Sequence, residues 1–207
     1  MAGEASVEKK AAGILAVILA VEGGVVAYYC AVAGAKFLAY LGFTAGRHGT
    51  PAGWLLALLV TAIFVGYSAR FPSVRANLLR PSWLKLLALP MALAAGVLEE
   101  AVFRGTLMNA LQHRGADVAV QVLVSGLAFG AVHGIWGVFG KSPRAALGAT
   151  AATGVLGLVL AVVYLVAGRS LLPCVAAHTL IDAFIEPGMV LAACRGEFGR
   201  WAAPRVT

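Results

Sequence analysis

The chain has 207 residues, 61% hydrophobic and only 12% charged, with a mean hydropathy of +0.89. Soluble domains average about 45–50% apolar and about 25% charged residues, so an ordinary soluble domain is excluded and an all-α, polytopic membrane bundle of about six transmembrane helices is expected. The net charge of +7 falls in short loops between apolar runs, where it sets orientation rather than binding nucleic acid.

Residues 1–10 read as a polar lead, 11–194 as a single transmembrane domain, and 195–207 as a polar tail. The first apolar run, Ala11 to Leu41, is interrupted only by Glu22 and Lys36. It is too long for a signal-peptide core and lacks a convincing cleavage site. As one helix it would reach about 46 Å, against about 30 Å of hydrocarbon. One long span is therefore predicted, tilted or bent near Gly23-Gly24, with Lys36 snorkelling to an interface. After a loop from Gly42 to Pro51, Ala52 to Ala69 forms the second span. Arg70 to Ser82 reads as a basic loop, because Pro72 and Pro81 are unsuited to a helix interior. Trp83 to Leu111 is the third span and Gln112 to Ala116 a tight connection. Asp117 can cap the fourth span, expected to run to Gly140. Lys141 to Arg144 is a short loop. The fifth span, Ala145 to Ala167, is rich in small residues that permit close packing. A turn from Gly168 to Ser170 leads to the sixth span, Leu171 to Cys194, where Pro187-Gly188 offers a bend. Cys30, Cys174 and Cys194 have no metal spacing and give no disulfide framework; they read as small core residues.

Charge inside the spans is the informative feature. At a bilayer centre each charge costs roughly 2.5–3.5 kcal/mol on insertion scales, so an intramembrane ionisable residue is a functional-site hypothesis by default. The third span carries Glu99, Glu100 and Arg104. Glu100 and Arg104 are four apart with the acid first, the favoured order for a helix pair. Glu99 is rotated about 100° from Glu100, lacks that partner, and is available for chemistry. The fourth span carries His133 as its only titratable side chain after Asp117, and the sixth carries His178 and Asp182 four apart. A lone histidine is commonly a satisfied core residue, and a His–Asp pair can simply lock two helices together. Glu186 reads as an interface residue beside Pro187, and Glu22 as a residue that pairs inside the bundle. Together, carboxylates and imidazoles on three spans suit water activation and general acid–base chemistry. They equally suit a proton relay, and spacing alone does not separate the two.

Glu99-Glu100-x-x-x-Arg104, Phe129-x-x-x-His133 and His178-x-x-x-Asp182, in that order on successive spans, resemble the motifs of the CPBP family of intramembrane endopeptidases. That family includes the Ras-converting type of CAAX endoprotease, bacterial bacteriocin-processing or self-immunity proteins, and small bacterial sorting proteases. The resemblance covers Trp83 to Cys194. It implies a glutamate-type endopeptidase, often classed with metalloendopeptidases, acting on a membrane protein or lipidated peptide in the bilayer. Carried over, Glu99 would activate water with help from His133, Arg104 would hold Glu100, and His178 with Asp182 would stabilise the oxyanion. The CAAX endoproteases have Asn at that last position, whereas the wider family accepts Asn or Asp. An ionised Asp cannot donate a hydrogen bond, so Asp182 must be protonated, orient His178, or hold a water or metal. No cofactor is required by this reading, although two imidazoles and a carboxylate also make a zinc set. The alternatives are a non-catalytic immunity or partner-binding protein and a proton-coupled transporter.

Six spans put both termini on one side. That side holds Lys9, Lys10, Arg70, Arg75, Arg80, Lys85, Lys141, Arg144, Arg195, Arg200 and Arg205, whereas the opposite loops hold only Arg47, Arg114 and Arg169. The positive-inside rule makes both termini cytoplasmic, which fits a bacterial inner-membrane protease. A re-entrant pair within residues 11–41 would reverse this.

Overall fold

A computed structural model describes residues 2–44, 46–136 and 143–197. Among these the chain is helical throughout, and six helices are long and apolar enough to cross a membrane: Gly3–Ala33, Pro51–Ser68, Trp83–His113, Val118–Ile135, Ala146–Val166 and Leu172–Cys194. The all-α membrane bundle expected from composition is the fold observed. Large apolar side chains such as Val21, Leu55, Leu86 and Leu127 are more than half exposed on its outside, as suits a protein solvated by lipid.

Helix α1 (Ala2–Ala33) passes unbroken through Gly23-Gly24. The break comes at Gly34, with φ of 47°, and a short helix α2 (Ala35–Leu41) follows. The bend was expected where two glycines adjoin; it occurs where one glycine takes a left-handed conformation that other residues resist. Gly42 ends α2 at φ 104°, with Phe43 N–H donating to Leu38 O, the pattern of a Schellman cap. Helix α3 (Pro51–Ser68) starts with Pro51 and a Thr50 cap whose Oγ1 accepts from Gly53 N–H at 3.0 Å. The segment read as a basic loop contains a short helix, α4 (Pro72–Asn77). Pro72 was taken as a breaker, but it stands in the first turn, where a missing N–H costs nothing.

Helix α5 (Trp83–Glu100) does not continue as a regular α-helix. Ala101–Met108 is a π-helical segment, after which α6 (Asn109–His113) resumes. Irregular backbone at membrane depth is tolerated only where the protein re-satisfies it. Here Tyr40 and Thr106 hydroxyls donate to Ala101 O at 2.9 and 3.0 Å, and Ser125 Oγ donates to Phe103 O at 3.1 Å. Helix α7 (Val118–Val132) is capped as expected, Asp117 accepting from Val120 N–H at 2.9 Å. It tightens into a 3₁₀ turn at His133–Ile135; the expected end at Gly140, the Lys141-to-Arg144 loop as far as residue 142, and the tail beyond residue 197 lie outside the described residues. Helices α8 (Pro143–Val166) and α9 (Leu172–Cys194) complete the chain, α9 running on through Pro187.

Helix α9 packs against α3, α4 and α5, α5 against α1, and α7 against α8. Two glycines permit the closest approaches. A Cβ on Gly130 would lie 2.7 Å from both Thr150 O and Gly154 Cα in α8. A Cβ on Gly96 would lie 3.1 Å from Thr179 N and 3.2 Å from Val175 O in α9. Small residues let membrane helices approach this way, and the α5–α9 contact sits one turn from the acidic pair.

Candidate active site

Glu99 and Glu100 end α5, and Arg104 lies one turn on, in the π-helical segment. Arg104 Nη1 donates to Glu100 Oε1 at 2.9 Å, and Nη2 donates to Gly157 O of α8 at 2.7 Å. Both side chains are fully buried. The guanidinium also lies 4.7 Å from the centre of the Phe129 ring, a cation–π contact. From α9, His178 Nδ1 stands 2.8 Å from the same Glu100 Oε1. An ionised carboxylate only accepts, so Nδ1 carries the proton and donates it. Glu100 is therefore gripped from two helices, by a cation on its own helix and an imidazole on α9.

A second group faces the free side of His178. Its Nε2 lies 3.4 Å from Asp182 Oδ2 and 4.0 Å from Glu99 Oε2. His133, at the end of α7, has Nδ1 2.8 Å from Phe129 O. A carbonyl only accepts, so this Nδ1 also carries a proton, and the neutral ring presents an Nε2 lone pair. That nitrogen lies 3.6 Å from Glu99 Oε2. Glu99, His133 and Asp182 side chains are 19%, 17% and 14% exposed, against 0% for Glu100 and Arg104.

All six residues singled out in the sequence, Glu99, Glu100, Arg104, His133, His178 and Asp182, thus meet in one cluster. Three further residues stand beside them, Phe129 from the motif and two carboxylates that sequence reasoning did not place there. The fully buried Phe129 ring stacks on His133 at 4.5 Å and meets His178 edge-on at 5.6 Å. It touches both imidazoles and the Arg104 guanidinium, and an aromatic residue one turn before His133 was the signal for it. Glu186 was read as an interface residue and Glu22 as a pairing one. Both lie within electrostatic range of Glu99 and Asp182, and each has a buried Oε2 with no hydrogen-bond partner. Glu186 could have been found from its position one turn beyond Asp182 on the face that bears His178. Glu22 was conspicuous as a charge in an apolar run, but no motif or spacing tied it to the other spans.

Among the described residues no group of three or more His, Cys, Asp or Glu side chains is disposed to hold a metal ion. His178 Nδ1 faces Glu100 and His133 Nδ1 a backbone carbonyl, contacts that leave both Nε2 atoms turned toward Glu99 and Asp182.

No curated protein and no solved structure matches the chain. The family model described as type II CAAX prenyl endopeptidase Rce1-like matches residues 81–184. That segment is half of the chain, and it contains all six clustered residues, carried by three of the candidate membrane spans. This chain is an integral membrane protein and belongs to the Rce1-like type II CAAX prenyl endopeptidase family, a family of membrane proteases.

Proposed function

We propose that the protein hydrolyses a peptide bond near the membrane-proximal or C-terminal region of a lipidated or membrane-anchored protein, using water activated by Glu99. The observation that carries this reading is the 3.6 Å separation of Glu99 Oε2 and His133 Nε2. Both atoms are acceptors when Glu99 is ionised, and the distance exceeds a hydrogen bond. A water molecule that donates one proton to each bridges such a gap, and its oxygen lone pair is then free to attack.

In this mechanism the water oxygen bonds to the scissile carbonyl carbon while Glu99 takes its proton. The carbonyl oxygen becomes an oxyanion and accepts from His178 Nε2. That requires a proton on both ring nitrogens of His178, which faces Glu100 on one side and Asp182 on the other. Asp182 orients this ring. The C–N bond then breaks, and Glu99 returns its proton to the departing amine nitrogen. Arg104 Nη1 holds Glu100 Oε1, and Glu100 in turn positions His178 through Nδ1. No step is assigned to a metal ion. The machinery lies in a single transmembrane domain, residues 11–194, with its core at 83–194. Both termini are cytoplasmic in a bacterial inner membrane, by the distribution of basic residues described above.

The test is cleavage of prenylated and unmodified membrane-anchored peptides by the purified protein in detergent, followed by mass spectrometry. Wild type cleaves at one bond and Glu99→Gln does not. Equal product from both proteins would end the assignment. A Glu99→Ala variant used as bait and crosslinked in membranes would identify the natural substrate.

A further inference from the structure

At the other end of the third span, a cavity of about 540 Å³ opens between the loop from Gly42 to Thr50 and the turn from Gly168 to Ser170. The chain leaves the apolar spans at this level, where α2, α6 and α8 end and α3 and α9 begin. The two rims are tied together by hydrogen bonds. Ser170 Oγ donates to Arg47 O at 2.6 Å and Thr50 Oγ1 donates to Val166 O at 2.7 Å.

Arg47, Arg169 and His113 line this cavity, and no carboxylate does. Arg169 is aimed by neutral groups alone. Its Nη1 donates to Asn109 Oδ1 at 2.9 Å and its Nη2 to Gln121 Oε1 at 2.5 Å, and its guanidinium lies over the Tyr164 ring. These contacts fix the guanidinium without neutralising it. Its backbone is held at φ 61°, the only non-glycine residue in the left-handed region among those described. Surrounding structure must over-determine such a conformation, and such residues cluster at ligand clamps. The Arg47 side chain is exposed. In the elements that bound the cavity, Leu38, Phe43 and Leu55 expose their apolar side chains.

We propose that this cavity binds a phosphate group, that of an anionic phospholipid whose headgroup enters between Arg47 and Arg169 while its acyl chains lie along the exposed apolar surface beside it. Planar guanidinium forks match phosphate oxygens. Basic pockets between membrane helices bind anionic headgroups on the cytoplasmic side, and the same arginine chemistry is available on this opposite side. The cavity is on the side of the bundle away from both termini and is separate from the Glu99 cluster.

The test uses the full chain purified in a neutral detergent. Its thermal midpoint is measured with added phosphatidylglycerol, with phosphatidylcholine, and with inorganic phosphate at matched ionic strength. Phosphatidylglycerol at ten times its dissociation constant is expected to raise the midpoint by roughly 3–6 °C, and phosphatidylcholine is expected to leave it unchanged. Arg47→Gln with Arg169→Gln should remove most of that rise, and lysine at both positions should restore part of it. Arg47→Gln alone, at an exposed position that can be changed without unfolding the turn, should reduce the rise by at least half. Inorganic phosphate giving the same rise through the same arginines would make free phosphate the ligand and overturn the lipid source. Equal effects of the two lipids, or a full rise in Arg47→Gln, would overturn the site.

Discussion

The polar cluster has a closed half and an open half, built from the same residue types a few ångströms apart. In the closed half, Glu100, Arg104 and His178 Nδ1 are joined by contacts of 2.8–2.9 Å and no side chain is more than 3% exposed. In the open half, Glu99, His133 Nε2, His178 Nε2 and Asp182 stand 3.4–4.0 Å apart, and Glu99 is 19% exposed. Neighbouring carboxylates in one sequence motif thus have opposite environments. A buried charge pair is a fixture, because moving one member strands the other, even though Glu100 Oε2 and Arg104 Nε themselves make no hydrogen bond among the described residues. A charge facing a gap can accept a water, a proton or a peptide carbonyl. His178 spans both halves, one ring nitrogen in each, and so transmits the rigidity of the first to the second.

Breaking the closed half should produce the largest effect. Arg104→Ala removes both contacts to Glu100 and Gly157 O and empties the space over Phe129. Removing one partner of a buried pair costs about 3–5 kcal/mol, so the variant should lose activity and much of its thermal stability together. Glu100→Gln combined with Arg104→Met should regain part of the stability, because it removes the stranded charge, while remaining inactive. Melting curves in detergent check both statements. An Arg104→Ala protein as stable as wild type would show that the closed half is not a fixture.

Breaking the open half should separate activity from stability. Glu99→Gln is expected to lower kcat by roughly 10²–10⁴-fold, the range for a general acid–base group, with the thermal midpoint held. His133→Ala should also abolish detectable cleavage while the protein stays folded and inserted. Among the described residues its side-chain hydrogen bond goes to a carbonyl in its own turn, so the variant gives up that bond and the ring contact with Phe129 but no link that holds two helices together. Peptide cleavage and melts on the same preparations make the comparison. A Glu99→Gln variant that is both inactive and unfolded would move Glu99 into the closed half.

The cluster was legible from sequence because its members violate the chemistry of their surroundings. Charge in an apolar run is conspicuous, and a four-residue spacing gave the Glu100–Arg104 pair directly. Contacts between spans were not legible. Nothing in a one-dimensional pattern says that His178 turns one nitrogen to Glu100, since that depends on how closely α9 approaches α5 at Gly96. Glu22 was hidden for the same reason: which face of α1 meets α5 is a property of packing. The π-helical segment left no trace in hydrophobic periodicity, because its carbonyls are satisfied by residues as distant as Tyr40 and Ser125. The break at Gly34 rather than Gly23-Gly24 follows from conformation, which composition does not encode.

Asp182 tests the boundary between the halves on a smaller scale. If it acts by hydrogen bonding to His178 or to the oxyanion, Asp182→Asn keeps substantial activity, because Asn presents both an acceptor and a donor. Asp182→Ala should lose most of it. If the carboxylate instead binds zinc, Asn is a poor replacement and chelators inactivate the enzyme. The expected result is cleavage that persists after dialysis against a chelator, and activity that a chelator removes and zinc restores would overturn the metal-free mechanism.

The smallest expected effect comes from Tyr40→Phe, at the edge of the closed half. The Tyr40 hydroxyl donates to Ala101 O at 2.9 Å, the first carbonyl of the π-helical segment, and its ring packs against Gly105. Phenylalanine keeps the ring and loses the donor. Ala101 O retains Thr106 Oγ1 at 3.0 Å, so it is not orphaned. The loss is then that of one net hydrogen bond, about 0.5–1.5 kcal/mol, or a fall of roughly 1–6 °C in the thermal midpoint for a chain of this size. The π-helical segment carries Arg104 but none of the open-half residues, so its slight loosening reaches the reaction only through Glu100 and His178. Accordingly kcat/KM should stay within roughly threefold of wild type, equivalent to less than about 0.7 kcal/mol of transition-state stabilisation. A tenfold loss of kcat/KM with an unchanged midpoint would mean that the geometry of the π-helical segment, and not merely its stability, sets the position of the reacting groups.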